Sequence, residues 1–214
     1  MNYQEILDFW FDPKNQSWWF SQNDAFDALI EEKFKTIHQQ AAHAELWSWR
    51  SSAEGRLAEI IVLDQLSRNL YRNSSLAFAQ DALALALAQE AITLQLDAAL
   101  PPIQRSFLYM PFMHSESKLI HQYALKLFED LGNPINLDFE QRHKEIIDRF
   151  GRYPHRNQVL GRTAIFNCSA SPSVLRSLSH EENFNRLCTG DGSEFSRLCL
   201  YPLKALNLRP VRSV

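Results

Sequence analysis

Along most of this chain apolar residues return every three or four positions, the spacing of one face of an α-helix. From Asn23, placed as an N-cap before Asp24, they recur at Phe26, Leu29/Ile30, Phe34, Ile37 and Ala41, with Glu31, Glu32, Lys33 and Lys35 between them. The spacing predicts an amphipathic helix with one wet face. After a segment holding Trp47 and Trp49, Ser51 and Ser52 open a second helix through Tyr71, whose stretch Leu57 to Leu63 is apolar on most sides and belongs in the core. Residues 76–100 alternate alanine and leucine like a strand, but alanine is the best helix former and the run outlasts a typical strand, so a helix with close neighbours on two sides is expected up to Pro101 and Pro102. A short apolar helix over 103–113, one from Glu116 to Leu131 stopped by Gly132, and one from Leu137 to Phe150 closed by Gly151 complete the pattern. Phe9, Trp10 and Phe11 mark a core-sealing helix at the start.

No alternating run flanked by turns survives this pass. The expected fold is therefore all-α, built of antiparallel helix pairs joined by short loops. There is no fixed repeat period and no literal tetratricopeptide pattern.

The composition agrees: 214 residues, 45% hydrophobic and 22% charged, suit one domain with a full core, expected over residues 1–163. From residue 164 to 214 serines, Gly190, Gly192, Pro202 and Pro210 interrupt the helical period, and a weakly packed or partly disordered tail is expected there. Residues 1–161 carry 15 Lys/Arg against 21 Asp/Glu, which speaks against a nucleic-acid partner. The start lacks the basic and apolar run of a secretory signal, and no stretch approaches a membrane span, so a cytoplasmic protein without a membrane partner is expected. Three cysteines, Cys168, Cys188 and Cys199, lack Cys-x-x-Cys spacing, and no pair of histidines has helical ligand spacing, so no metal site is expected. With six glycines and no glycine-rich loop, a nucleotide cofactor is not expected either. Oligomeric state leaves no mark in the sequence.

Three polar clusters interrupt the apolar pattern. In the second helix Asp64 and Arg68 continue the stripe of Leu57, Ile60 and Ile61, with Asn69 and Arg72 nearby. An ion pair on a core-facing stripe must satisfy its hydrogen bonds or cost several kcal/mol, so it either ties helices together or serves a site. At the end of the apolar run 107–113 come His114, Ser115 and Glu116; Ser115 is placed to cap the next helix, Glu116 suits its first turn, and His114 is either a satisfied structural histidine or an acid, base or ligand. The segment 149–157 packs Arg149, Arg152, His155 and Arg156 around Gly151 and Pro154. Gly151 suits a helix end and Pro154 the first position of the next helix, where the cation of Arg156 opposes the dipole and, with exposed N–H groups, would make an anion pocket. The alternative is that these arginines simply pair with acidic residues such as Asp64 or Glu116.

These strings, together with Ile6 to Phe11, Glu54 to Ala58 and Leu160 to Arg162, resemble the bacterial domain of unknown function 924 family over about 160 residues. The resemblance implies an all-α fold of the tetratricopeptide-like, right-handed superhelical type, and no established activity. It carries weight position by position onto Asp64, Arg68, Asn69, Arg72, His114, Glu116, Arg152, His155, Arg156 and Asn157, and the chain departs from the family pattern after Thr163. The expectation is one concave pocket in which Arg68, Asn69, Arg72, Arg152, Arg156 and Asn157 hold a small phosphate- or carboxylate-bearing molecule, Asp64 and Glu116 orient the arginines, and His114 and His155, with Asp64, are the candidates for catalysis. The other expectation is a tetratricopeptide-like groove binding acidic peptides.

Overall fold

The computed structural model describes residues 2–163, and the expected tail of 164–214 lies outside them. Within them the chain is all-α, with no strand. Helix α1 (Tyr3–Phe11) is held by a capping box from Asn2 and Glu5, and its apolar face buries Ile6, Leu7 and Trp10. Helix α2 (Asp24–Ala42) starts at the Asn23 cap and buries Phe26, Ile30, Phe34, Ile37 and Ala41.

Helix α3 (Ala53–Ile61), capped by Ser52, runs through a π-turn (Val62–Leu66) into the short α4 (Ser67–Leu70). Every residue of Leu57 to Leu63 is buried, because α1, α2, α5 and α6 pack around this central rod. Gly55 lets its start come close: a Cβ there would lie 2.1 Å from Trp49 O.

Residues 76–100 are helical as the alanines demand, but not in one piece. A 3-10 turn (Ser75–Phe78), helix α5 (Asp81–Thr93) and a second 3-10 turn (Asp97–Ala99) share the stretch. Ala84, Ala88 and Ala91 are buried on one face while Ala82 and Ala86 are exposed, so the close approach is one-sided rather than two-sided. Helices α6 (Pro102–Met113), α7 (Lys118–Leu131) and α8 (Pro134–Phe150) then pack each on the next across short connections.

Two boundaries beside the polar clusters differ from expectation. Helix α7 is capped by Ser117, whose side chain accepts the Ile120 N–H; Ser115 and Glu116 remain outside it, because Ser115 caps locally by accepting the Ser117 N–H. After Gly151, whose φ of 67° ends α8 in the left-handed region, Pro154 opens only a three-residue 3-10 turn (Pro154–Arg156). There is no second helix for Arg156 to oppose, and the N–H groups of Arg156 and Asn157 are spent on Tyr153 O and Pro154 O.

Candidate functional site

The three polar clusters meet. The π-turn carries Asp64 into the interior, where it is fully buried. Its Oδ1 accepts from His114 Nδ1 at 2.8 Å and from Arg68 Nη1 at 3.1 Å, and its Oδ2 accepts from the Gln65 amide. Burial alone would push the Asp64 carboxyl up, but the Arg68 charge and the His114 and Gln65 donors outweigh it and hold it well below the usual carboxylate range. A carboxylate only accepts, so His114 carries its proton on Nδ1. Burial, reinforced by the Arg68 charge, lowers the His114 pKa against the pull of Asp64, and the ring is neutral with its lone pair on Nε2.

Such π-turns recur where a helix presents functional side chains. Ser67 donates to Leu63 O across this one, and accepts in turn from His38 Nε2 at 2.7 Å.

Asp81, the first residue of α5, fastens the first and third clusters. Its Oδ1 accepts from Arg68 Nη2 and its Oδ2 from Arg156 Nη1, each at 3.0 Å. Arg156 is 6% exposed. Its Nη2 donates to His114 O at 3.1 Å, and its guanidinium lies 4.4 Å from the Phe78 ring centre and 4.7 Å from that of Tyr153. The turn that carries it is pinned independently: Glu116 accepts the Tyr153 N–H at 2.8 Å, and the Tyr153 hydroxyl donates to Met113 O. Arg72 makes a two-pronged contact with Asp27 of α2, which also accepts from Asn69 at 2.8 Å.

Between these elements lies a cavity of about 590 Å³, within the usual range for small-molecule sites. Its polar wall holds Arg68, Asn69, Arg72, His114, His155 and Arg156. Trp19, Phe20, Phe78, Met110 and Met113 give it an apolar side. The three carboxylates that grip the arginines, Asp27, Asp64 and Asp81, are not part of the wall: the arginines line the cavity and the carboxylates paired with them do not. His155 and His143 also line it, and burial with neighbouring positive charge pushes each down to about 3, so both are neutral near pH 7.

Six of the ten positions singled out from the sequence therefore line one cavity, and Asp64 stands directly behind it. Glu116, Arg152 and Asn157 lie outside the wall. Glu116 holds Tyr153 and, at 2.6 Å, Arg162, rather than any of the four arginines assigned to the pocket. Arg152 is half-buried, and Asn157 is buried with its backbone oxygen accepting the Arg162 N–H. Among the described residues no group of three or more His, Cys, Asp or Glu is arranged to hold a metal ion, and no helix is long and apolar enough to cross a membrane.

Sequence reasoning missed Asp27, Asp81, Gln65, Phe78 and His143. Two of these left a signal. Asp27 and His38 lie on the stripe of buried Ile30, Phe34 and Ala41, and His143 on that of Phe139 and Ile147, the same polar intrusion that marks Asp64 and Arg68. Asp81 also lies three and seven residues before the buried Ala84 and Ala88, but alanine and leucine occupy every side of that helix, so no one stripe stood out for it to interrupt.

Residues 6–166 match the family described as "Bacterial protein of unknown function (DUF924)". A solved structure, that of the protein of unknown function ATU0120 from Agrobacterium tumefaciens, is 35% identical, with a TM-score of 0.71 over 83% of this chain and 96% of that one. No curated protein matches the chain. The chain belongs to the DUF924 family.

Proposed function

We propose that this member of the DUF924 family binds a small phosphate- or carboxylate-bearing molecule in the cavity between α4, α6 and the 153–156 turn. The observation that carries the reading is the layering of charge. Arg68, Arg72 and Arg156 are on the wall and Asp27, Asp64 and Asp81 are behind it. Such guanidiniums are fixed in orientation before any ligand arrives, which removes an ordering cost from anion capture. Two of them, Arg68 and Arg156, are further locked by one shared carboxylate, Asp81.

A proton transfer in this cavity would run through His114. The Asp64–His114 pair has the arrangement of a carboxylate-held general base, with Asp64 fixing the tautomer and stabilising the imidazolium that forms. His155 adds a second ring to the same wall. The alternative of a tetratricopeptide-like groove for acidic peptides needs polar side chains spread along successive inner helices, whereas here they converge on one cavity.

The test is a thermal-shift and calorimetric series with sulfate, phosphate, citrate and benzoate on the wild type and on Arg68→Gln. At least one anion should stabilise the wild type and lose most of its effect in the variant. If none of the four stabilises the wild type at any concentration below its bulk salt effect, the reading is wrong.

A further inference from the structure

The donors and acceptors on the cavity wall are not evenly distributed, and their distribution says more about the ligand than its charge. His114 Nδ1 is committed to Asp64 Oδ1, a pure acceptor, so the ring hydrogen is on Nδ1 and Nε2 offers a lone pair. No described residue donates to that lone pair, and His114 lines the cavity. Gln65, also on the wall, directs its amide nitrogen at Asp64 Oδ2 and, at 3.4 Å, at Met110 Sδ, which leaves its carbonyl oxygen as a second acceptor. The arginines beside them are pure donors. Arg156 Nη2 bonds the backbone oxygen of His114 itself, and Arg68 Nη1 shares Asp64 Oδ1 with the His114 ring. An anionic head held by these two guanidiniums would therefore lie beside the His114 ring, whose Nε2 is its uncommitted nitrogen.

We infer that the ligand is a hydroxylated anion, a hydroxy acid or a hydroxylated phosphate ester, whose hydroxyl lies within one or two carbons of the charged group and donates to His114 Nε2. This rests on the anion-binding reading above and narrows it. A ligand with an acceptor or a methylene at that point would strip water from Nε2 and return nothing, whereas a hydroxyl replaces the lost hydrogen bond. Discrimination by a buried polar group works in this direction: the analogue lacking the matching donor is the one rejected. The apolar side made by Trp19, Phe20 and Phe78 leaves room for a hydrocarbon or aromatic body behind the polar end.

Two matched pairs of probes test it by calorimetry at pH 7: mandelate, each enantiomer, against phenylacetate, and glycerol 3-phosphate against propyl phosphate. Within whichever pair binds, the hydroxylated member should bind about tenfold more tightly. Benzoylformate, which carries a ketone in place of the mandelate hydroxyl, should bind no more tightly than phenylacetate. In His114→Asn, whose amide can still donate to Asp64 but reaches no further, the two members of the pair should bind with equal affinity. Equal affinities within a wild-type pair, or a preference that survives His114→Asn, overturn the inference and leave the anion site standing. If neither pair binds and sulfate does not bind either, the anion reading falls and this inference with it. The wild-type comparison with benzoylformate decides the matter even if the variant does not fold.

Discussion

The molecule contains two histidine–carboxylate pairs of nearly the same geometry and opposite character. His114 meets Asp64 at 2.8 Å and His121 meets Glu140 at 2.7 Å, both through Nδ1. The difference is at the other nitrogen. His121 Nε2 donates to Ser115 O at 2.8 Å, and both members of its pair have no exposed surface. His114 lines the cavity, no described residue bonds its Nε2, and its side chain keeps 17% exposure. The carboxylates differ too. Burial pushes Glu140 up, with His121 opposing, while Arg68 and His114 hold Asp64 down. A buried pair closed on both sides fastens α7 to α8, and one left open at a ring nitrogen has chemistry to offer.

The largest expected effect falls on the closed pair. His121→Ala should cost about 3–5 kcal/mol of stability in a denaturant titration, because it strands Glu140 in the interior. Replacing both residues with leucine should recover most of that loss. Sulfate binding should survive in the double variant; if it disappears, the closed pair is part of the site and the comparison breaks.

Next in size is Asp81→Asn, which takes a charged partner from two arginines at once. With Asp81 17% exposed, the loss should be about 2 kcal/mol. Sulfate should raise the thermal midpoint of this variant by more than that of the wild type, since an anion replaces the missing charge. An unchanged sulfate shift would mean that the guanidiniums are sealed from the cavity.

The open side also has a pH signature. Burial pushes His143 and His155 down to about 3 in the folded state, below the ordinary imidazole value of 6.5 expected of the unfolded chain. Their contribution to stability is thus complete above pH 6.5 and is lost as the pH falls from there toward 3. Glu140, raised in the fold, contributes with the opposite sign and favours the folded state as pH falls. His143→Gln should flatten the acid limb of a stability profile, and an unchanged slope would show that its ring is protonated in the native state. The smallest effect belongs to Arg72→Gln, about 1 kcal/mol or less because that pair is partly solvated, with a weaker response to sulfate.

The helical fold was legible because periodicity reports burial one residue at a time. Asp64 and Arg68 stood out because they break an apolar stripe. The breaks within 76–100 were not legible, since alanine and leucine suit a helix whether or not Ser74 starts a separate turn before Asp81. The role given to Arg156 changed for a similar reason. Its charge opposes the dipole of an apparent helix start, which suggested an anion pocket, but the element is a single 3-10 turn, and what fixes Arg156 is Asp81, which lies 75 residues away in the chain. Long-range pairing of that kind leaves no local trace. The pocket's third wall was visible in the sequence, and the carboxylate that holds it in place was not.

The most direct test of the open cavity wall is a long-range proton–nitrogen NMR spectrum of the labelled imidazoles at pH 7, recorded through a sulfate titration. His114 should appear as the Nδ1–H tautomer with an unprotonated Nε2, and its signals should shift as sulfate binds while those of His121 stay still. A His114 ring protonated on Nε2, or one that ignores sulfate at saturation, would contradict the account.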